Sequence, residues 1–169
     1  GVTGGEVSAE QSKAGRASIK WGDHPTNKQM RLRNVPPDWS EYDKISFWLY
    51  SATANNAKFV FIVQSENPET EGIDYWNTNF TVDWTGWRFF EYPFSRLGRS
   101  RQPLGWHQIT SVYFTATGWG NEPQADSLIY LDDMRLHKMG STLLNADFEA
   151  GEADGGVPVH WQASPRLTP

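Results

Sequence analysis

Apolar and polar residues alternate with a period of two along most of this chain. Residues 29–34 (QMRLRN) set Met30 and Leu32 on one face and Gln29, Arg31 and Arg33 on the other, the signature of a half-buried strand. Residues 44–51 oppose Ile45, Phe47 and Leu49 to Ser46, Trp48 and Tyr50. The run 58–64 is mostly apolar, and its best division places Phe59, Phe61 and Val63 inside and Ile62 and Gln64 outside. Residues 75–82 gather Trp76, Phe80 and Val82 and leave Tyr75, Asn77, Asn79 and Thr81 opposite. Residues 109–115 turn Val112 and Phe114 inward and Ser111, Tyr113 and Thr115 outward. Shorter runs at 6–8 and 17–21, the stretch RFFEYPF entered through Trp84, Gly86 and Trp87, and 127–136 bring the total to about nine short strands between Pro-, Asn- and Gly-marked turns. That is the pattern of an all-β sandwich or jelly roll of antiparallel strands. No stretch carries a convincing helical period.

The last of these runs, SLIYLDDMRL at 127–136, is apolar apart from two adjacent carboxylates, Asp132 and Asp133, and Arg135. Ionised acids at a strand end face solvent, pair with a base or hold a hard cation through their oxygens, because burying them alone is costly.

Composition narrows the class. In 169 residues there are nine Trp, nine Phe and six Tyr, with 15 Gly and 10 Pro between the apolar runs, which suits a turn-rich β domain with one core. The formal net charge of −5 and the lack of a basic tract weigh against nucleic acid as a partner. Arg96, Arg99 and Arg101 read as a solvated loop. With no Cys, disulfides, thiolate metal sites and thiol nucleophiles are excluded. Neither a signal peptide nor a membrane-spanning run is seen, and the opening GVTGG reads as an excision from a longer, bacterial extracellular protein. Residues 1–140 are expected to form the sandwich. Residues 141–169, Gly-rich and acidic, read as a linker and the truncated start of a following module.

Four segments, FWLYS (47–51), VDWTGWRFFEYPF (82–94), PLGWHQITSVYFTATGW (103–119) and LIYLDDMRL (128–136), resemble the jelly-roll carbohydrate-binding modules appended to bacterial glycoside hydrolases and polysaccharide lyases. The opening VSAEQSKAGRASIKW (7–21) is similar to the first two strands of such modules, and NADFEAGEADGGVPVHW (145–161) resembles the start of a second one. The resemblance implies a secreted, multimodular parent whose catalytic domain lies in cis, and a monomeric module. It also implies a structural Ca2+ tying the first turn to the last strand, with Glu10 and Asp133 as ligands, Asp132 as a second acid and a backbone oxygen near Gly15.

In the jelly-roll order that this resemblance implies, the strands at 29–34, 58–64, 75–82 and 109–115 share a sheet with a concave outer face. The outward residues are then Arg31, Arg33, Gln64, Tyr75, Asn77, Asn79 and Tyr113, with Trp119 on an adjoining loop. Rings for sugar C–H faces and amides or guanidinium groups for hydroxyls make a carbohydrate site. Arg31 and Arg33, two residues apart, suit the carboxylate of a uronate-containing glycan. Trp76, Trp84, Trp87 and Trp106 read as core or turn anchors. Two alternatives remain: a module for protein or cell-surface contacts, and a small polysaccharide lyase casting Tyr113, Gln64 and Arg31 as acid–base and neutralising groups. The proposed face holds no Asp or Glu pair of the kind a glycosidase uses, so the expectation is a non-catalytic binder.

Overall fold

The computed structural model describes residues 1–138 and, as a backbone strand, Ser141–Ala146. Two antiparallel sheets face each other. One contains β1 (Val2–Thr3), β4 (Gln29–Leu32), β10 (Ser111–Thr115), β6 (Lys58–Gln64), β7 (Tyr75–Thr81) and β9 (Gly98–Ser100), in that order across the sheet. The other runs β2 (Glu6–Ser8), β3 (Ser18–Trp21), β11 (Ile129–Lys138), β5 (Lys44–Ser51) and β8 (Gly86–Pro93), with β12 (Ser141–Ala146) paired to the second half of β11. The expected boundary at 140 therefore falls just before a strand that joins the second sheet. Of residues 145–161, which carry the resemblance to a following module, those from 147 onward lie outside the described residues.

The inward positions are those the alternation marked. Phe47 of β5 meets Phe61 of β6 at 5.0 Å and Phe114 of β10 at 5.3 Å between ring centroids, so the core is sewn across the two sheets by aromatic contacts. One end of the sandwich is closed by a near-parallel stack, Trp76 on Trp106 at 3.9 Å and Trp106 on Phe94 at 4.1 Å. Phe94 starts a short 3-10 turn, Phe94–Arg96, and the arginine loop continues as β9. β9 is too short for periodicity to reveal it. Trp87, expected as a core or turn anchor, lies at the start of β8, half-buried on the outer face of the second sheet opposite Tyr50.

The adjacent acids of β11 have a backbone explanation. Ile129 and Leu131 point inward before them, and Met134 and Leu136 point inward after them, so one extra residue has reset the alternation. The pairing with β5 shifts register between Asp132 and Arg135, and Asp133 sits at φ 50°. This is a β-bulge, and Asp is among the few residues that enter the left-handed region readily.

Candidate functional site

The four strands expected to share a face are consecutive in the first sheet: β4, β10, β6, β7. Their registers set Arg31, Tyr113, Ile62 and Asn77 in one cross-strand row. On one side runs the row Ser111, Gln64, Tyr75, and on the other Gln29, Thr115, Val60, Asn79. Since alternate residues of a strand share a face, all of these belong to the outer surface of the sheet.

That surface has an apolar floor and a polar superstructure. Val60, Ile62 and Tyr113 form a small buried cluster separate from the main core, with Tyr75 packed against it. Over Tyr113, which is only 1% exposed, lies the Arg31 guanidinium, 3.8 Å from the ring centre. The same guanidinium donates to the Ser111 hydroxyl at 2.8 Å and to the Gln64 side-chain oxygen, and Ser111 donates to Gln64 at 2.9 Å. The Gln64 amide nitrogen in turn donates to Glu66. Arg31 is thus held in place by three partners, and Tyr113 supports it from below instead of offering its own ring to a ligand.

Along β7, the Asn77 amide nitrogen donates to the Ser100 hydroxyl at 3.0 Å and to the Gly98 carbonyl at 3.3 Å, while Asn79 is exposed. Tyr75 meets the edge of Trp119 at 6.1 Å between centroids. Arg33 is exposed just past the end of β4, on the side of the chain that carries Arg31. All the expected binding residues therefore border one surface, although Trp119 reaches it from the β10–β11 connection.

Sequence reading missed the residue that sets the rim. Asp74, fully buried, accepts the Thr70 hydroxyl at 2.5 Å, the Gln102 N–H at 2.8 Å and the Asn67 N–H at 3.3 Å, pinning two loops beside Tyr75. The Thr70 hydroxyl, followed by the Gln102 amide, holds its carboxyl below the usual range. Glu66 was also passed over, since nothing in a strand pattern marks a loop glutamate as a network member, and Ser111 was placed on the outer face without its part in the network being visible.

The acids and loop expected to hold calcium are placed as follows. Glu10 takes the Lys20 ammonium on both oxygens, at 2.8 and 2.7 Å, and the Tyr130 hydroxyl at 2.5 Å. Lys20 first, then Tyr130, lowers its pKa. Asp132, with no exposed surface, accepts the Lys13 and Ala14 N–H groups at 2.6 and 3.0 Å and the Asp133 N–H at 2.7 Å. Burial still pushes its pKa up to about 6. Asp133 accepts Arg135 Nε at 2.8 Å, and Gly15 sits in the same loop as Lys13 at φ 66°. The carboxylates face separate donors of the chain's own, and among the described residues no group of three or more His, Cys, Asp or Glu comes together. As arranged, this donor set does not fit a shared ion. The tie between first loop and last strand is made by the Asp132 hydrogen bonds.

Tyr113, Gln64 and Arg31 do come together, yet not as a lyase would use them. Burial raises the Tyr113 phenol, against the opposing pull of Arg31, and the ring is covered. Among the described residues, Glu66 is the carboxylate in the network around Arg31, and it is engaged by Gln64 and not set opposite a second acid there.

Comparison with known proteins bears on the family and the fold. The family 11 carbohydrate-binding domain profile matches residues 6–108, more than half of the chain. The chain belongs to that family. This family 11 domain is similar to a family 11 module from Clostridium thermocellum solved with a β-1,3-1,4-mixed-linked tetrasaccharide, at 18% identity and a TM-score of 0.59 over 82% of this chain and 83% of that one. It is also similar to the family 11 module of the C. thermocellum cellulosomal cellulase Lic26A-Cel5E, at 18% identity and TM-score 0.58, covering 82% of each. A family 30 module, from the cellulosomal cellulase Cel9D-Cel44B of the same organism, matches at 12% identity and TM-score 0.59 over 81% of this chain and 83% of that one. Among curated protein sequences there is no significant match. The jelly-roll sandwich and the non-catalytic, carbohydrate-binding character follow from the family, and the structural neighbours share that fold.

Proposed function

We propose that this family 11 domain holds an extracellular polysaccharide along the trough over β4, β10, β6 and β7, keeping a catalytic domain in cis close to its substrate. The observation that carries the reading is the Arg31, Tyr113, Ile62, Asn77 row with its flanking network, a pre-ordered set of polar groups over an apolar floor. Because Arg31 is already braced, its remaining N–H groups meet hydroxyls with little ordering cost on binding. Tethering acts through effective concentration at the catalytic unit. A bacterial, secreted parent is supported by the cysteine-free, aromatic-rich composition and by the cellulosomal enzymes whose modules share this fold.

The structure bears on the acidic-glycan reading by dividing the two arginines. Arg31 is turned toward Gln64 and Ser111, so a uronate carboxylate would be met at exposed Arg33. The mixed-linked β-glucan named for one neighbour is a neutral ligand, and it is the first probe for this chain. Affinity electrophoresis in gels containing mixed-linked β-glucan, xyloglucan, alginate or pectin tests the reading. Retardation in at least one gel, lost in Arg31→Ala, is the expected outcome. Selective retardation by the uronate gels, lost in Arg33→Ala, would establish the acidic class, and migration unaffected by every gel would leave a contact module.

A further inference from the structure

The β10–β11 connection contains a two-residue hairpin turn whose tip is an unfavourable residue for its place. Gly118 and Asn121 form an antiparallel bridge, with Asn121 N–H donating to the Gly118 carbonyl at 2.9 Å. Between them, Trp119 has φ 54° and Gly120 φ 79°. Left-handed values at both central positions define the turn type that selects Asn, Asp or Gly. Glycine at the second position is at home there. A bulky side chain at the first is strained.

The fold gains little for that strain. Trp119 is 51% exposed, and its ring contact among the described residues is the edge-on meeting with Tyr75. A strained residue that the core does not use is a reason to look for a ligand. Beside it opens a cleft of about 300 Å3, lined by Trp119 and Asn121 from the turn and by Lys58, Asn79 and Thr81 from the far ends of β6 and β7. Lys58 and Thr81 are cross-strand partners one row beyond Val60 and Asn79, on the face that carries Arg31 and Asn77. The cleft is therefore the continuation of the trough.

We propose that this cleft is a distal subsite that takes one pyranose ring of the bound chain. The sugar's C–H face lies on the Trp119 indole, and its hydroxyls meet the Asn79 and Asn121 amides and the Lys58 ammonium. Amides both donate and accept, and the ammonium donates, which suits hydroxyl groups of either role. The left-handed turn is what lifts the indole out over the sheet, so the strain is the cost of aiming it. This inference rests on the trough binding a glycan.

The test is calorimetric titration of mixed-linked β-1,3-1,4-glucan oligosaccharides of increasing length against the whole chain and its Trp119→Asn variant, with thermal unfolding of both. Asn relieves the turn, so the melting temperature is expected to rise. The gain in affinity with oligosaccharide length is expected to shrink by roughly three- to tenfold, the worth of one stacked ring. Lys58→Ala is expected to reduce the same length dependence by a smaller factor. A fall in melting temperature for Trp119→Asn would overturn the inference by making the indole structural. Equal affinity loss at every length would overturn it by placing the indole at the centre of the trough, and an unchanged length dependence would remove the subsite while leaving the trough intact. Failure of the unmodified chain to bind any oligosaccharide, or any gel of the polysaccharide panel, would overturn the trough reading and this one together.

Discussion

The outer face of the second sheet carries more aromatic rings than that of the first, Trp48, Tyr50, Trp87, Phe89 and Tyr130 against Tyr75 and Tyr113, and the two faces use them in opposite ways. On the second sheet, Trp48 faces Phe89 at 5.2 Å and Tyr50 faces Trp87 at 5.5 Å, tilted or edge-on, with Lys13 Nζ 4.1 Å over Trp48. These rings pack on one another and under a lysine ammonium. On the first sheet, one ring lies under a guanidinium that is itself fixed by an amide and a hydroxyl. The lesson is that ring content does not mark the binding face. Convergence of ordered polar groups over an apolar floor does.

Substitutions on the two faces should therefore separate stability from binding. The largest effect is expected at Asp132, where replacement by Ala takes the acceptor from three backbone N–H groups, one buried and two part-buried, and costs on the order of 2–3 kcal/mol. Urea unfolding would register it, while glycan affinity measured well below the melting transition should be unchanged. A matching loss of affinity would mean that the two faces are coupled.

His24 acts on both faces through the core they share. Its ring is buried against Trp21 at 4.1 Å and Phe59 at 5.2 Å, and that burial lowers its pKa to about 4 despite the Trp21 carbonyl and the nearby Asp23 charge. Since the unfolded chain takes up this proton first, near 6.5, the contribution is whole above that pH. It is lost as pH falls from 6.5 to about 4, by at most about 3 kcal/mol. His24→Phe should flatten the stability profile in that window, which unfolding at several pH values would reveal. An unaltered slope would assign the loss to other groups.

Arg31→Ala reverses the Asp132 pattern. Glycan affinity should drop about tenfold, with a stability cost of about 1–2 kcal/mol as Gln64 and Ser111 lose their donor. Phe89→Ser, which removes a half-exposed ring from its contact with Trp48 on the other face, should cost about 0.5–1 kcal/mol of stability and leave affinity alone. Smallest of all is chelation. With Glu10, Asp132 and Asp133 each turned to internal donors, a chelator should not move the melting temperature. A rise of several degrees on adding calcium would show that these acids re-aim around an ion.

Much of the site was legible because a strand's pleat is local. Gln64 and Ile62 were placed outside, and Asn77, Asn79 and Tyr75 together, from alternation alone. Outward direction did not reveal exposure, however. Ile62 and Tyr113 point away from the core and are nonetheless covered, by neighbours on other strands. Asp74 was invisible because its importance lies in amides contributed by residues 67 and 102. Asp132 and Asp133 broke the alternation, which is itself the mark of a bulge, yet the same pair reads equally well as a metal site until the amides facing it are known.

By itself the order of residues determined that the chain folds as strands, which side chains share a face of each strand, and that no thiol chemistry is available. Its likeness to carbohydrate-binding modules pointed to the right family. Tertiary structure alone decided that Arg31 rests on Tyr113, that Asp132 fastens the first loop to the last strand through amide hydrogens, and that Trp119 is held out beside Lys58 and Asn79. Side-chain period is set within a strand by backbone geometry, whereas register, cover and hydrogen-bond partners are set between segments as far as 120 residues apart.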